Sequence, residues 1–292
     1  MRFGMTLPTM VRGVTRASTL EWCRRIDAGP YESVSAGERI TFHNQDQLVT
    51  LSAAAAVTSR VRVIATIVIL PMHPAPLVAK QAATLDVLSG GRFVLGVGVG
   101  GREHDYRCAG SGFDRRLARL DEQVAEVRRL WRGVAPFPDA ELIGPPVVQP
   151  GGPPVWCSSF GPRSLERSSR WADGYAGFTL AADPGELVAV AAGVRAAWEA
   201  AGRDGPPYLM TSFWFSLGPD AVARQRAYVD DYMRIDPGAA AFMVDAATIV
   251  GTDAVAAAVD AVEAAGFDEL MFVPTTDEVA ELDRLEEILA RR

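Results

Sequence analysis

Short, nearly continuous apolar runs alternate with helix-length stretches along this chain. The runs predict strands at Arg2–Leu7, Tyr31–Ser35, Val61–Leu70, Arg92–Val99, Val155–Ser159, Gly174–Thr179, Tyr208–Leu217 and Glu269–Val273. Strands of a parallel sheet are buried on both faces, which is why they read as runs rather than as alternation. Between them lie predicted helices. Thr19–Ala28 has Ser18 or Thr19 as its cap and stops at Gly29-Pro30. Gln47–Ser59 is alanine-rich, and Ala75–Leu88 closes on Ser-Gly-Gly, a glycine C-cap. Arg115–Trp131 is the clearest amphipathic stretch, because Leu117, Leu120, Val124, Val127 and Leu130 recur at three- or four-residue spacing with charges between them. Further helices are expected at Pro162–Trp171, Pro184–Ala201, Asp220–Met233, Thr252–Ala265 and Asp277–Ala290. Two stretches break the rhythm: the Pro- and Gly-rich 133–154, with room for one small hairpin, and 234–250.

Eight strands, each followed by a helix, predict one TIM (β/α)8 barrel across residues 1–292, with insertions after strands 4 and 7. A doubly wound sheet is the second choice. The chain has 292 residues, enough for such a barrel, and 49% of them are hydrophobic. Its formal charge of −7 disfavours nucleic acid, which requires a basic face. Lys80 is the only lysine beside many arginines, a bias that suggests a GC-rich genome. Cys23, Cys108 and Cys157 are odd in number and widely spaced, so they form no disulfide framework and no zinc motif. The start MRFGMTLP reads as a strand rather than a signal peptide, and no apolar run is long enough to span a membrane, which points to a cytoplasmic protein.

Chemistry in a barrel of this kind belongs at the C-terminal strand ends. The first strand ends in TLPTM, an ordinary loop. Just past strand two stand Glu38, Arg39 and His43, which could pair, bind a ring or carry a proton; an exposed loop histidine is the plainer reading of His43. His73 lies between Pro71 and Pro74 in a stiff turn and reads as structural. Strand four ends in GVGVGG, where Gly96, Gly98, Gly100 and Gly101 let backbone approach a flat ligand. This is no dinucleotide fingerprint, since no helix starts within the glycine run. After strand five, Ser158, Ser159, Gly161, Pro162, Arg163 and Ser164 open a helix with hydroxyls, free N–H groups and a cation, which suits a phosphate; a simple serine cap is the alternative. Metal-hydrolase clusters, a strand-end lysine and a serine-nucleophile elbow are absent, so no metal is expected. A site so poor in strong acids, bases and nucleophiles fits an enzyme whose cofactor does the chemistry.

The segments LDVLSGGRFVLGVGVG, RRLARLDEQVAEVRRLW, PPVWCSSFGPRSLERSSRWADGY and IVGTDAVAAAVDAVEAAGFDELMFVP resemble, in order, the bacterial luciferase-like flavin and deazaflavin oxidoreductase superfamily. That resemblance implies a barrel with insertions and either deazaflavin coenzyme F-420 or FMN lying across the strand ends. It implies a non-prolyl cis peptide at Thr66–Ile67 under the ring and phosphate binding at 159–164. The chain departs from the family at two places. Some deazaflavin members carry Asp-His after strand two, where this chain has Glu38-Arg39; luciferase has a phosphate-binding arginine after strand four, where this chain has Val99. The expected activity is deazaflavin-dependent hydride transfer with a small organic substrate. An FMN-dependent monooxygenase served by a separate flavin reductase is one alternative, and a non-catalytic flavin-binding barrel is another. A homodimer is expected.

Overall fold

The computed structural model describes residues 1–292, leaving aside the side chain of Pro237. Eight parallel strands close into a barrel in sequence order: β1 (Arg2–Thr6), β2 (Ser33–Ala36), β3 (Arg62–Ile69), β4 (Phe93–Gly98), β5 (Val155–Cys157), β6 (Gly174–Ala176), β7 (Tyr208–Phe215) and β8 (Glu269–Pro274). The doubly wound alternative is therefore excluded. Helices α1 (Arg16–Ala28), α2 (Gln47–Val57) and α3 (Ala75–Leu88) follow the first three strands. Between β4 and β5 come α4 (Glu103–Cys108), α5 (Arg116–Trp131) and a long irregular segment. The later helices are α6 (Pro162–Ser168), α7 (Pro184–Ala200), α8 (Ala221–Met233), α9 (Pro237–Ala246), α10 (Thr252–Ala264) and α11 (Ala280–Leu289). No described helix is long and apolar enough to cross a membrane.

Local chemistry explains where the elements begin. Helix α1 starts earlier than the sequence suggests, because the Thr15 side chain, not Ser18 or Thr19, caps it by accepting from the Ser18 N–H. Asp46 and Asp183 cap α2 and α7 in the same way. Strands β5 and β6 end sooner than their apolar runs, and the 133–154 segment contains no hairpin among its described residues. Its path is fixed instead by Asp86, a fully buried carboxylate that accepts from the Val148 and Gln149 N–H groups at 2.6 and 3.0 Å.

Alternate residues of each strand point into the barrel and stack in layers. The lowest layer is polar: Arg62, Tyr208, Glu269 and Ser33 meet at the N-terminal end. Above it Ile64, Val94, Trp156, Ala176, Met210 and Met271 form an apolar plug. Higher still is a hydroxyl layer, where Thr6 and Thr66 each bond the Ser35 hydroxyl, at 2.9 and 3.0 Å. The opposite strand faces pack on the helices in the main core.

The β3–β4 ladder holds the main irregularity. Ala65 pairs with Leu95 and Val68 with Val97, so Thr66 and Ile67 together oppose Gly96. The Thr66–Ile67 peptide is cis. A Cβ on Gly96 would sit 2.2 Å from the Ala65 carbonyl oxygen, and one on Gly98 would sit 2.2 Å from Ile67 Cδ1. The strand-four glycines thus make room for the bulge of strand three. Gly100, with φ +58°, faces the Ile69 side chain.

Candidate active site

A cavity of about 670 Å³ opens at the C-terminal ends of the strands. Its floor is the top of the barrel: Thr6, Gly37, Thr66, Ser212 and Met271. Its roof comes from the loop after β6, from β7 and from α8, where Phe178, Trp214, Tyr228 and Tyr232 cluster. Methionines 10, 233 and 243 also line the cavity, a use suited to their flexible thioethers. Charge enters along one edge, from Arg102, Glu103 and His104 after β4 and from Asp236 before α9. Phe160, from the loop after β5, is another lining residue.

The three residues after strand two do not line this cavity. Glu38 instead braces the end of β3. Its carboxylate accepts from the Ile69 N–H at 2.6 Å and from His73 Nε2 at 2.7 Å. Burial pulls the His73 imidazole down, yet the hydrogen bond and the charge of Glu38 outweigh it, and His73 titrates above its ordinary value. A histidine raised in this way stabilises the fold below its unfolded pKa, near 6.5, and the contribution is lost as pH rises through the folded value. The His73 contribution to stability should therefore fall as the pH rises above about 6.5. In Glu38→Gln this slope should flatten and the His73 midpoint should drop, as read by urea melts and NMR titration; an unchanged midpoint would remove the pairing from the account.

Arg39 is a strut. Its Nε donates to Asp105 at 3.1 Å and its Nη1 to the Tyr232 carbonyl at 3.1 Å, while its guanidinium lies 4.6 Å from the Phe42 ring centre. Asp105 also accepts from the Thr41 N–H at 2.7 Å, so one buried carboxylate ties the β2 loop to α4. Arg102 donates to the same Tyr232 carbonyl at 3.3 Å. Two guanidiniums thus satisfy a last-turn carbonyl of α8, where the helix dipole favours positive charge. His43 donates from Nε2 to the Met10 carbonyl at 3.0 Å, and burial holds its pKa below the ordinary value. It belongs to a separate, smaller recess together with Arg12, Asp231 and Arg234.

The 158–164 turn reaches the barrel mouth through its own Phe160, which lines the cavity. Ser159 is buried and bonds the Ser168 hydroxyl at 2.9 Å, so its hydroxyl is committed to the end of α6. The cap of α6 is Gly161, with φ +85°, rather than a serine; Pro162 opens the helix, Arg163 is exposed and Ser164 is half-buried. Ser158 is half-buried beneath Gly98. Thr66 reaches the cavity floor, whereas Ile67 turns its side chain under strand four.

The sequence reading missed the roof. Tyr228 and Tyr232 are four residues apart on α8, and this spacing places two rings on one helix face. That pairing, three residues before the Ile235-Asp236-Pro237 break, was the available signal.

A family model described as luciferase-like monooxygenase matches residues 1–282. An uncharacterised protein of Mycobacterium tuberculosis is 35% identical over 187 residues, covering 61% of this chain and 64% of that protein. The match thus spans less than two thirds of that relative's length. Among solved structures, the monooxygenase RslO1 from Streptomyces bottropensis superposes with a TM-score of 0.81 at 21% identity, covering 100% of this chain and 99% of the other. An F-420-dependent secondary alcohol dehydrogenase, in complex with an F-420–acetone adduct, gives 0.77 at 18% identity, with 98% and 97% covered. The FMN complex of the oxygenating constituent of 3,6-diketocamphane monooxygenase from Pseudomonas putida gives 0.73 at 17%, with 100% and 97% covered. At these identities the three structures share the fold.

Proposed function

This chain belongs to the luciferase-like monooxygenase family, and we propose that it is a deazaflavin-dependent oxidoreductase that moves a hydride between coenzyme F-420 and a small organic substrate. The site fits a flat tricyclic ring: the small residues Thr6, Gly37, Thr66 and Ser212 line the cavity beside the β3 bulge, and Phe178, Trp214, Tyr228 and Tyr232 give it an aromatic wall. The observation that carries the choice of cofactor is Val99. It puts an uncharged side chain where luciferase has its phosphate-binding arginine, and its carbonyl is engaged by the Tyr106 hydroxyl at 2.6 Å.

When bound, the reduced deazaflavin supplies a hydride and reacts poorly with oxygen. The protein's residues then position the ring and exclude water. Glu103 and His104, at the charged edge, are the groups that would hold or deliver a proton. Glu38, Arg39 and His43 act behind the surface: Glu38 sets the end of β3, and Arg39 holds α8, and through it the roof, against α4. In this reading Gly161, Pro162, Arg163 and Ser164 bind the phosphate, with Ser158 and Ser159 shaping the turn.

Arg163→Ala should weaken cofactor binding about tenfold, because a charge-assisted bond contributes roughly 1.5–3 kcal/mol. Anaerobic fluorescence titration with reduced F-420 and reduced FMN checks both claims at once. Unchanged affinity in the variant would move the phosphate elsewhere. The FMN-bound fold neighbour supports a second reading, an FMN-dependent monooxygenase fed by a separate reductase. Preference for FMN, with an oxygen atom from O2 in the product, would establish that reading in place of the first, and binding of neither cofactor would sink both.

A further inference from the structure

We infer that the aromatic roof of the cavity is a binding site for an uncharged, planar aromatic ring of the organic substrate. The inference rests on the reading above in one respect: the cofactor ring occupies the floor and leaves the roof to the substrate.

The roof is built as an open box. Tyr228 and Tyr232 lie nearly parallel, 5° apart with centroids separated by 6.2 Å. Trp214 stands edge-on to both, at 71° and 72°. Phe178 closes the side against Trp214 at 4.8 Å and 67°. Aromatic rings prefer edge-to-face and offset contacts, and this box offers a further ring both kinds. It is also preorganised, since Trp214 sits on β7, while Arg39 and Arg102 fasten the end of α8. Little ordering cost remains to be met on binding.

Charge decides against the other guests. Boxes of Trp and Tyr commonly take cations. Here Tyr232 already faces two guanidiniums, Arg102 at 4.5 Å and Arg39 at 5.4 Å, so an added cation meets repulsion. An anion gains little as well. Arg102 is engaged with the Tyr232 carbonyl and with Met233 Sδ at 3.2 Å, and Glu103 and Asp236 stand on the same edge. An aliphatic guest would be buried but would lose the ring contacts. Met10 and Met243 can adapt to the edge of a flat ring.

The test is calorimetry on the full chain without cofactor, using 2-acetylnaphthalene, cyclohexyl methyl ketone and phenyltrimethylammonium. The naphthyl ketone should bind about tenfold more tightly than the cyclohexyl ketone, and the ammonium ion should not bind measurably. Tyr228→Leu should remove most of that preference, and Phe178→Leu, at the side of the box, part of it; both variants should lose far less affinity for reduced F-420 than for the naphthyl ketone. Equal affinity for the two ketones, or tight binding of the ammonium ion, would overturn the inference. So would variants that lose cofactor affinity while keeping the naphthyl ketone, since the box would then hold the cofactor ring. Selective ketone binding in a protein that binds neither cofactor leaves the inference standing and removes the cofactor assignment instead.

Discussion

Gly96→Ala should destabilise the barrel by about 3 kcal/mol or prevent folding, and in any folded fraction it should abolish tight cofactor binding. The reason is one atom. An alanine Cβ at this position would lie 2.2 Å from the Ala65 carbonyl oxygen, far inside contact distance, and that oxygen is backbone. It cannot swing aside as a side chain would. Either β4 separates from β3, or β3 shifts its bulge and carries Thr66 away from the cavity floor. Gly98→Ala is the control. Its Cβ also falls at 2.2 Å, but from the Cδ1 tip of Ile67, which can change rotamer. That variant should lose less than about 1.5 kcal/mol, the scale of one off-rotamer adjustment. Urea denaturation of both proteins, followed by cofactor titration of whatever folds, separates the two cases. Equal stability in the two variants would mean that the bulge is not fixed by the backbone contact.

The contrast between these glycines marks how far the sequence could be read. The eight strands were legible because each is largely buried on both faces and so appears as an apolar run; their alternation with helices favoured a barrel over a doubly wound sheet, and the closed strand order decides between the two. Two helices were not legible. Glu103–Cys108 is too short to show a period, and Pro237–Ala246 is apolar on nearly every side, leaving no polar face to reveal its pitch. At the site, position after a strand was a fair guide to neighbourhood and a poor guide to direction. Glu38, Arg39 and His43 all follow strand two, yet Glu38 turns to His73, Arg39 to Asp105 and His43 to the Met10 carbonyl. Those partners lie 35, 66 and 33 residues away in sequence, a separation that no local pattern encodes. The roof is hidden for the same reason. Trp214 reads as one more apolar strand residue until α8 folds back and sets two tyrosines against it.

At the opposite end of the barrel, Arg62→Met should cost about 3–5 kcal/mol at neutral pH, the usual penalty for removing one member of a buried pair. Glu269 is fully buried and accepts from Arg62 at 2.6 Å, from the Tyr208 hydroxyl at 2.9 Å and from the Ser33 hydroxyl. Arg62 also lies across the Trp156 and Tyr208 rings, at 5.6 and 5.2 Å. Burial alone would lower the pKa of its guanidinium, but the charge of Glu269 and the nearby Tyr208 raise it above the ordinary value, so the arginine stays charged. Without that cation the carboxylate keeps two hydroxyl donors and loses its counter-charge while fully buried. Arg62→Met combined with Glu269→Leu should recover much of the loss, because an apolar pair of similar volume needs no counter-charge. Denaturant midpoints of the wild type, the single variant and the double variant make the measurement. A double variant no more stable than Arg62→Met would show that Arg62 stabilises the barrel through its contacts with the Trp156 and Tyr208 rings rather than through its charge.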